Sequence, residues 1–274
     1  MPAKALSFFL RESFRRRGGE TFRGRRSLLV LRGARHDVWA RSIAKGLICV
    51  LRHLVGVALV LTLGVTAGSE SVARSDPSPE LLRGVSAIGA PGVPGSLCVF
   101  GDGAFPVVVG RASGEIREPV VAAAYLGEGR VVAFGHDGYF APEALAVADT
   151  GRLMANAVLW TGGGAAEAGG VRVAVHGLEG LLQFLREGGF AAAAVDSPDW
   201  HQRLTGFQVL CLHHTAMATS EQQAAVSGFV RSGGGLIIGD TGWGWLQLHP
   251  AQTLTADHPG NRVLAPAGLV WSDG

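Results

Sequence analysis

Four short segments place histidines and carboxylates where chemistry could be done: Gly135-His136-Asp137, His176-Gly177, His213-His214-Thr215 and Gly239-Asp240-Thr241. Each follows an apolar run that reads as a β-strand, and functional groups of parallel α/β sheets gather at strand C-terminal ends. Imidazole and carboxylate together can ligate a metal, or act as a base and its orienting partner. The linear spacing matches no compact metal pattern: H-E-x-x-H, C-x-x-C and H-x-H are all missing. Neither a metal nor a cofactor is therefore expected, and the plain alternative makes these residues polar caps on a solvated sheet rim.

A nucleophile would have to come from Cys211, Ser197 or Thr215. Cys211 lies in mid-strand between Leu210 and Leu212, whereas a reactive thiol wants an exposed, electropositive turn. There is no G-x-S-x-G or G-x-C-x-G elbow, so no catalytic residue is assigned. Gly233-Gly234-Gly235 follows a helical pattern and precedes a strand, the reverse of the order that cradles phosphate, and reads as a helix stop. Trp243 and Trp245, set among Gly242 and Gly244, could stack on a sugar or hold a partner, or else cover the sheet end as a lid of the core. The candidate binding set is thus His136, Asp137, His213, His214, Asp240, Trp243 and Trp245. His249-Pro250 and His258-Pro259-Gly260-Asn261 read as turns.

The elements that must position these residues alternate. Residues 97–100, 105–109, 120–125 and 130–136 read as strands, and 145–160 as one helix ending at Gly162-Gly163-Gly164. Beyond those glycines come strands at 171–175, 190–195, 207–212 and 236–238, with helices at 178–187 and 220–231. That succession implies βαβ units on a parallel sheet. The expected class is α/β: a flavodoxin-like parallel sheet, of the class I glutamine-amidotransferase kind, with a preceding smaller α/β lobe. The expected organisation is a basic head with an apolar segment (1–75), a first lobe (80–164) and a second lobe (170–274). Asp76-Pro77-Ser78-Pro79 forms a rigid linker between head and body. Leu269-Val270-Trp271 begins a strand near the chain end, so a truncated second lobe is one alternative.

Composition narrows the function. The chain has 274 residues, 47% hydrophobic and 17% charged, with 41 glycines, which suits a well-buried α/β protein rather than a disordered or coiled-coil one. Residues 1–53 hold 13 Lys/Arg against 3 Asp/Glu, leaving 11 against 19 in the remainder, so the body is acidic and nucleic acid is not an expected partner. The basic head precedes an uncharged run at 54–69 and small residues at 65–67 and 71–73, the order of a secretory signal. The run is shorter than the roughly 20 residues of a spanning helix. Export to the exterior or periplasm is expected, with a membrane anchor at 46–69 as the alternative and no other membrane contact. Cys49, Cys98 and Cys211 suggest buried free thiols rather than a disulfide framework.

Three runs resemble the N-terminal region of the melastatin-channel-associated factors, the TRPM-channel-associated, enhancin-like family. They are Ser232-Gly233-Gly234-Gly235-Leu236-Ile237-Ile238-Gly239, Trp243-Gly244-Trp245 and His258-Pro259-Gly260-Asn261-Arg262-Val263. The stretches 121–139 and 156–160 are similar as well, so the resemblance runs from about residue 81 to 271. It implies an amidotransferase-like fold that has lost its nucleophile. In that family the region precedes a metallopeptidase domain bearing H-E-x-x-H, associated with glycoprotein or mucin substrates in bacterial relatives, and this chain carries no such motif. Residues 221–235 are also loosely similar to trehalose-utilisation-type proteins. The expectation is a non-catalytic exported accessory domain that binds a partner protein or glycan. The alternative is a small hydrolase or sugar-processing enzyme using His213, His214 and Asp240.

Overall fold

The computed structural model describes residues 78–111, 117–164 and 167–274. The basic head, the apolar run at 54–69 and Cys49 lie outside the described residues. Along the chain come α1 (Ser78–Leu81), β1 (Leu97–Val99), β2 (Ala104–Arg111), β3 (Arg117–Leu126), β4 (Gly129–Phe134), α2 (Pro142–Leu145) and α3 (Thr150–Thr161). Then follow β5 (Arg172–Val175), α4 (Glu179–Glu187), β6 (Ala191–Ala194), β7 (Val209–His213) and α5 (Ser220–Arg231). The chain closes with β8 (Gly235–Gly239), α6 (Gly242–Leu248), α7 (Pro259–Leu264) and β9 (Leu269–Trp271).

Seven strands make one mixed sheet in the order β2-β3-β4-β8-β7-β5-β6. Strands β4, β8, β7, β5 and β6 run parallel, and β3 and β2 extend the sheet antiparallel. Strand β8 inserts between β4 and β7, so strands from 80–164 and 170–274 share a single sheet. Among β5 to β8 the spatial order is β6-β5-β7-β8, the winding expected of a flavodoxin-like half.

The alternation of side chains along each strand builds two cores. Val132, Phe134, Val209, Cys211 and Ile237 pack with Leu153, Met154 and Val158 of α3 and Leu181 and Leu185 of α4. Their neighbours Val131, Ala133, Leu210, Leu212, Leu236 and Ile238 face the other way, onto Val226 and Val230 of α5 and Val263 and Leu264 of α7. The continuous apolar runs of β7 and β8 follow from this burial on both faces. Helix α5 begins where Thr219 and Gln222 form a capping box.

Several local expectations change. The helix read across 145–160 is two helices, broken at residues 146–149, where Ala148 takes φ 49°. The break uses side chains that a continuous helix would leave free. Asp149 accepts from the Ser86 amide at 2.8 Å, and Thr150 Oγ1 from the Gly89 amide at 2.8 Å, tying down the segment that leads to β1. The proline linker is already helical at Ser78, since proline is tolerated in a first turn. Cys98 is exposed rather than buried, because Leu97 takes the inward position of β1. Strand β9 pairs antiparallel with β1, Leu97 opposite Trp271, and Ser96 donates its amide to the Gly274 carbonyl at 2.8 Å. Among the described residues no helix is long and apolar enough to cross a membrane.

Candidate functional site

Parallel register sets the site. Gly239 lies opposite both Phe134 and His213, so β4, β8 and β7 end at one level and their next residues emerge side by side. Beyond β4, His136 caps a 3-10 turn that begins at Asp137; beyond β7, His214 opens another; beyond β8, Asp240 precedes α6. A Cβ on Gly135 would collide with the Gly95 carbonyl, and one on Gly242 with that of Ser272. Glycine is what lets the backbones of these two segments close over the rim.

Asp240 is the centre. Its Oδ2 accepts from His258 Nε2 at 2.7 Å and lies 2.5 Å from His214 Nδ1. Burial alone would raise the Asp240 carboxyl, but the contacts and charges of His214 and His258 outweigh it and hold the group at about 2. His258 is fully buried and caps α7, its Nδ1 accepting from the Asn261 amide at 3.0 Å. Asn261 in turn bonds Trp271, its Oδ1 accepting from the backbone N–H at 2.8 Å and its Nδ2 donating to the carbonyl at 3.1 Å. The Trp271 indole donates to the Phe134 carbonyl at 2.9 Å. A closed chain of hydrogen bonds thus joins β8, α7, β9 and β4.

The outer layer is more open. His213 Nε2 faces Asp137 Oδ2 at 3.7 Å and Asp240 Oδ1 at 3.9 Å. Its Nδ1 lies 2.9 Å from Thr215 Oγ1 and accepts from the Thr215 amide at 3.4 Å. Burial, and the charge of His214, hold His213 below the usual imidazole range despite both carboxylates, so it is neutral at pH 7. Asp137 is lowered by its bond from His136, helped by the charge of His213 and opposed by burial.

Sequence reasoning placed His136, Asp137, His213, His214 and Asp240 at strand ends, and the structure brings these five together. His176, also at a strand end, stands apart against Trp200, ring centroids 5.0 Å apart. The tryptophans lie on helix α6. Trp245 is buried, stacked on His249 at 4.4 Å and edge-on to His258 at 4.9 Å, so it backs the Asp240 network. Trp243 is half-buried and borders a cleft. Cys211 is fully buried in β7, and burial pushes its thiol far up. Thr215 contacts His213 only two residues away, as a local cap. The residue that sequence reasoning missed is His258. Its signal was the His-Pro pair ahead of a helix, where a side-chain acceptor at the N-cap is needed.

The cleft that Trp243 borders has a volume of about 970 Å³ and lies beside β2 and β3. The loop at 86–96 forms one wall, and Val108, Val109 and Val120 another, with Tyr139 also on its lining. Burial raises the Tyr139 hydroxyl to about 12, so it stays protonated at neutral pH.

A family model described as "TRPM8, N-terminal domain" (TCAF_N) matches residues 62–273. The chain is similar to TRPM8 channel-associated factor 2 of Bos taurus, 32% identical over 181 residues, covering 66% of this chain and 18% of that protein. It is also similar to TRPM8 channel-associated factor 1 of Homo sapiens, 32% identical over 199 residues, covering 71% and 19%. The chain therefore spans less than a fifth of the length of these relatives. Among solved structures, the IMPa metallopeptidase from Pseudomonas aeruginosa superposes with a TM-score of 0.52 at 20% identity, covering 71% of this chain and 21% of that one. The same protein in complex with an O-glycopeptide gives the same TM-score of 0.52. At this identity the likeness shows the α/β fold alone.

Proposed function

The chain belongs to the TRPM8 channel-associated factor family, and on that footing we propose that it is a non-catalytic, exported accessory domain that binds a protein partner or glycan. One observation carries the reading. The junction between β8 and α6 has the strand–turn–helix order of the kind at which α/β hydrolases present a nucleophile. Here it holds Asp240, 4% exposed, its carboxylate bonded by His258 and the Thr241 amide and pressed against His214. A carboxylate so engaged is not free to attack a substrate. Binding then falls to the cleft beside Trp243, whose walls are mostly apolar, with Val109 half exposed.

The relatives are named for association with a channel, which supports a protein partner, and the fold neighbour has been solved in complex with an O-glycopeptide. An O-glycopeptide offers peptide and sugar together and is the first probe. Titrating the full chain with an O-glycopeptide and with the same peptide deglycosylated should give saturable binding that Trp243→Ala weakens. No binding of either probe would count against the cleft. Turnover of amide, ester or glycosidic substrates that disappears in His213→Ala would replace the binding reading with the hydrolase one. That alternative draws on His213, His214 and Asp240, with Asp240 Oδ1 3.9 Å from His213 Nε2 and Oδ2 2.5 Å from His214 Nδ1. Export is read from the mature N-terminus: cleavage near residues 65–73 supports it, and an uncleaved chain retained inside the cell overturns it.

A further inference from the structure

The rim contains ligand atoms that partner binding does not use. His213, His214 and Asp240 each offer one donor atom, and these lie within 4.8 Å of one another. Asp137 Oδ2 stands 3.7 Å from His213 Nε2 on the solvent side. We propose that His213, His214, Asp240 and Asp137 form a site for one divalent transition-metal ion of the zinc class.

His214 supplies the independent sign. It is 8% exposed, and its Nδ1 is buried without a partner in hydrogen-bond geometry, although Asp240 Oδ2 is only 2.5 Å away. With Nδ1 deprotonated, a ring nitrogen and a carboxylate oxygen at that distance repel, and a cation lying against them relieves the repulsion. An ion taking Nδ1 and the other carboxylate oxygen, Oδ1, meets that need.

The remaining geometry agrees. Nitrogen and oxygen donors about 2.0–2.1 Å from a tetrahedral zinc stand roughly 3.3–3.4 Å from one another. The His213–Asp137 and His213–Asp240 edges, at 3.7 and 3.9 Å, need to close by only a few tenths of an ångström. Two imidazoles with carboxylates select zinc-like ions over magnesium or calcium, which prefer oxygen alone. Second-layer partners are in place as well. His258 donates to Asp240 Oδ2, while Oδ1, which accepts from the Thr241 amide at 2.6 Å, keeps a second lone pair for the ion; Thr215 Oγ1 can accept the Nδ1 proton of a His213 that ligates through Nε2. Asp137, with its side chain half exposed, provides the way in.

The test uses the full chain, stripped with chelator and titrated with Co²⁺ and with Zn²⁺. The expected result is one tight equivalent, with the visible d–d bands of a four-coordinate cobalt site. His213→Ala should weaken uptake by about 10-fold or more, while His176→Ala, outside the cluster, leaves it unchanged. Should His213→Ala not fold, the half-exposed Asp137→Asn decides the question by the same titration. Absence of cobalt bands and of zinc uptake by the folded chain overturns the site. So does uptake that the folded ligand variant leaves unaltered, which would place the metal elsewhere.

Discussion

The Asp240 network and the cleft beside β2 and β3 lie on one molecule and follow opposite rules. Around Asp240, most polar groups are buried and answered: the carboxylate by His258 and the Thr241 amide, His258 by Asn261, and Asn261 by Trp271. Along the cleft the walls are largely apolar, and Val93 and Val109 remain 70% and 50% exposed. Buried polar groups repay their desolvation only when fully paired, so the first region holds the strand ends in one arrangement. Exposed apolar surface contributes little to the folded chain and gains when something covers it. The contrast separates a part that holds the fold from a part suited to a partner.

Breaking the network should have the largest effect. Asp240→Ala leaves the buried N–H of His258 unanswered and should cost about 3–5 kcal/mol in urea unfolding; a loss near zero would mean that the histidines do not depend on the carboxylate. Asn261→Ala strips Trp271 of its backbone partners and should cost about 2–3 kcal/mol by the same measurement. Acid tests the network without mutation. Asp240, held near 2 when folded against the ordinary 3.8, contributes stability that is complete above pH 4 and is lost as pH falls from about 4 to 2. The corresponding loss is about 2 kcal/mol, and Asp137, lowered as well, adds in the same direction. His213 acts earlier: its folded pKa lies below the ordinary 6.5, so stability should begin to fall below that pH, a slope that His213→Gln removes. At the other extreme, Val93→Asp in the cleft should change stability by less than about 0.5 kcal/mol while weakening O-glycopeptide binding. A large stability loss there would erase the distinction between the two regions.

Much of this was legible along the chain. Runs such as Val171-Arg172-Val173-Ala174-Val175 and Leu236-Ile237-Ile238 declare strands through β-branching and burial, and Gly188-Gly189 and Gly233-Gly234-Gly235 stop helices. The rim residues followed from one rule, that strand C-terminal ends carry function. The helix across 145–160 misled because its apolar spacing persists through the break, while the signals for breaking it, Asp149 and Thr150, act on residues some sixty positions away.

The order of residues alone reveals most of the strands and the helices α4 and α5, and therefore that histidines and carboxylates stand at strand ends. These are properties of a residue and its near neighbours, and periodicity and capping report them directly. That β8 lies between β4 and β7, and so that Asp240 meets His214, His258 and the approach of Asp137, emerges from the folded sheet as a whole. Strand order is chosen by burial summed over the whole sheet, and no short stretch of chain carries that sum.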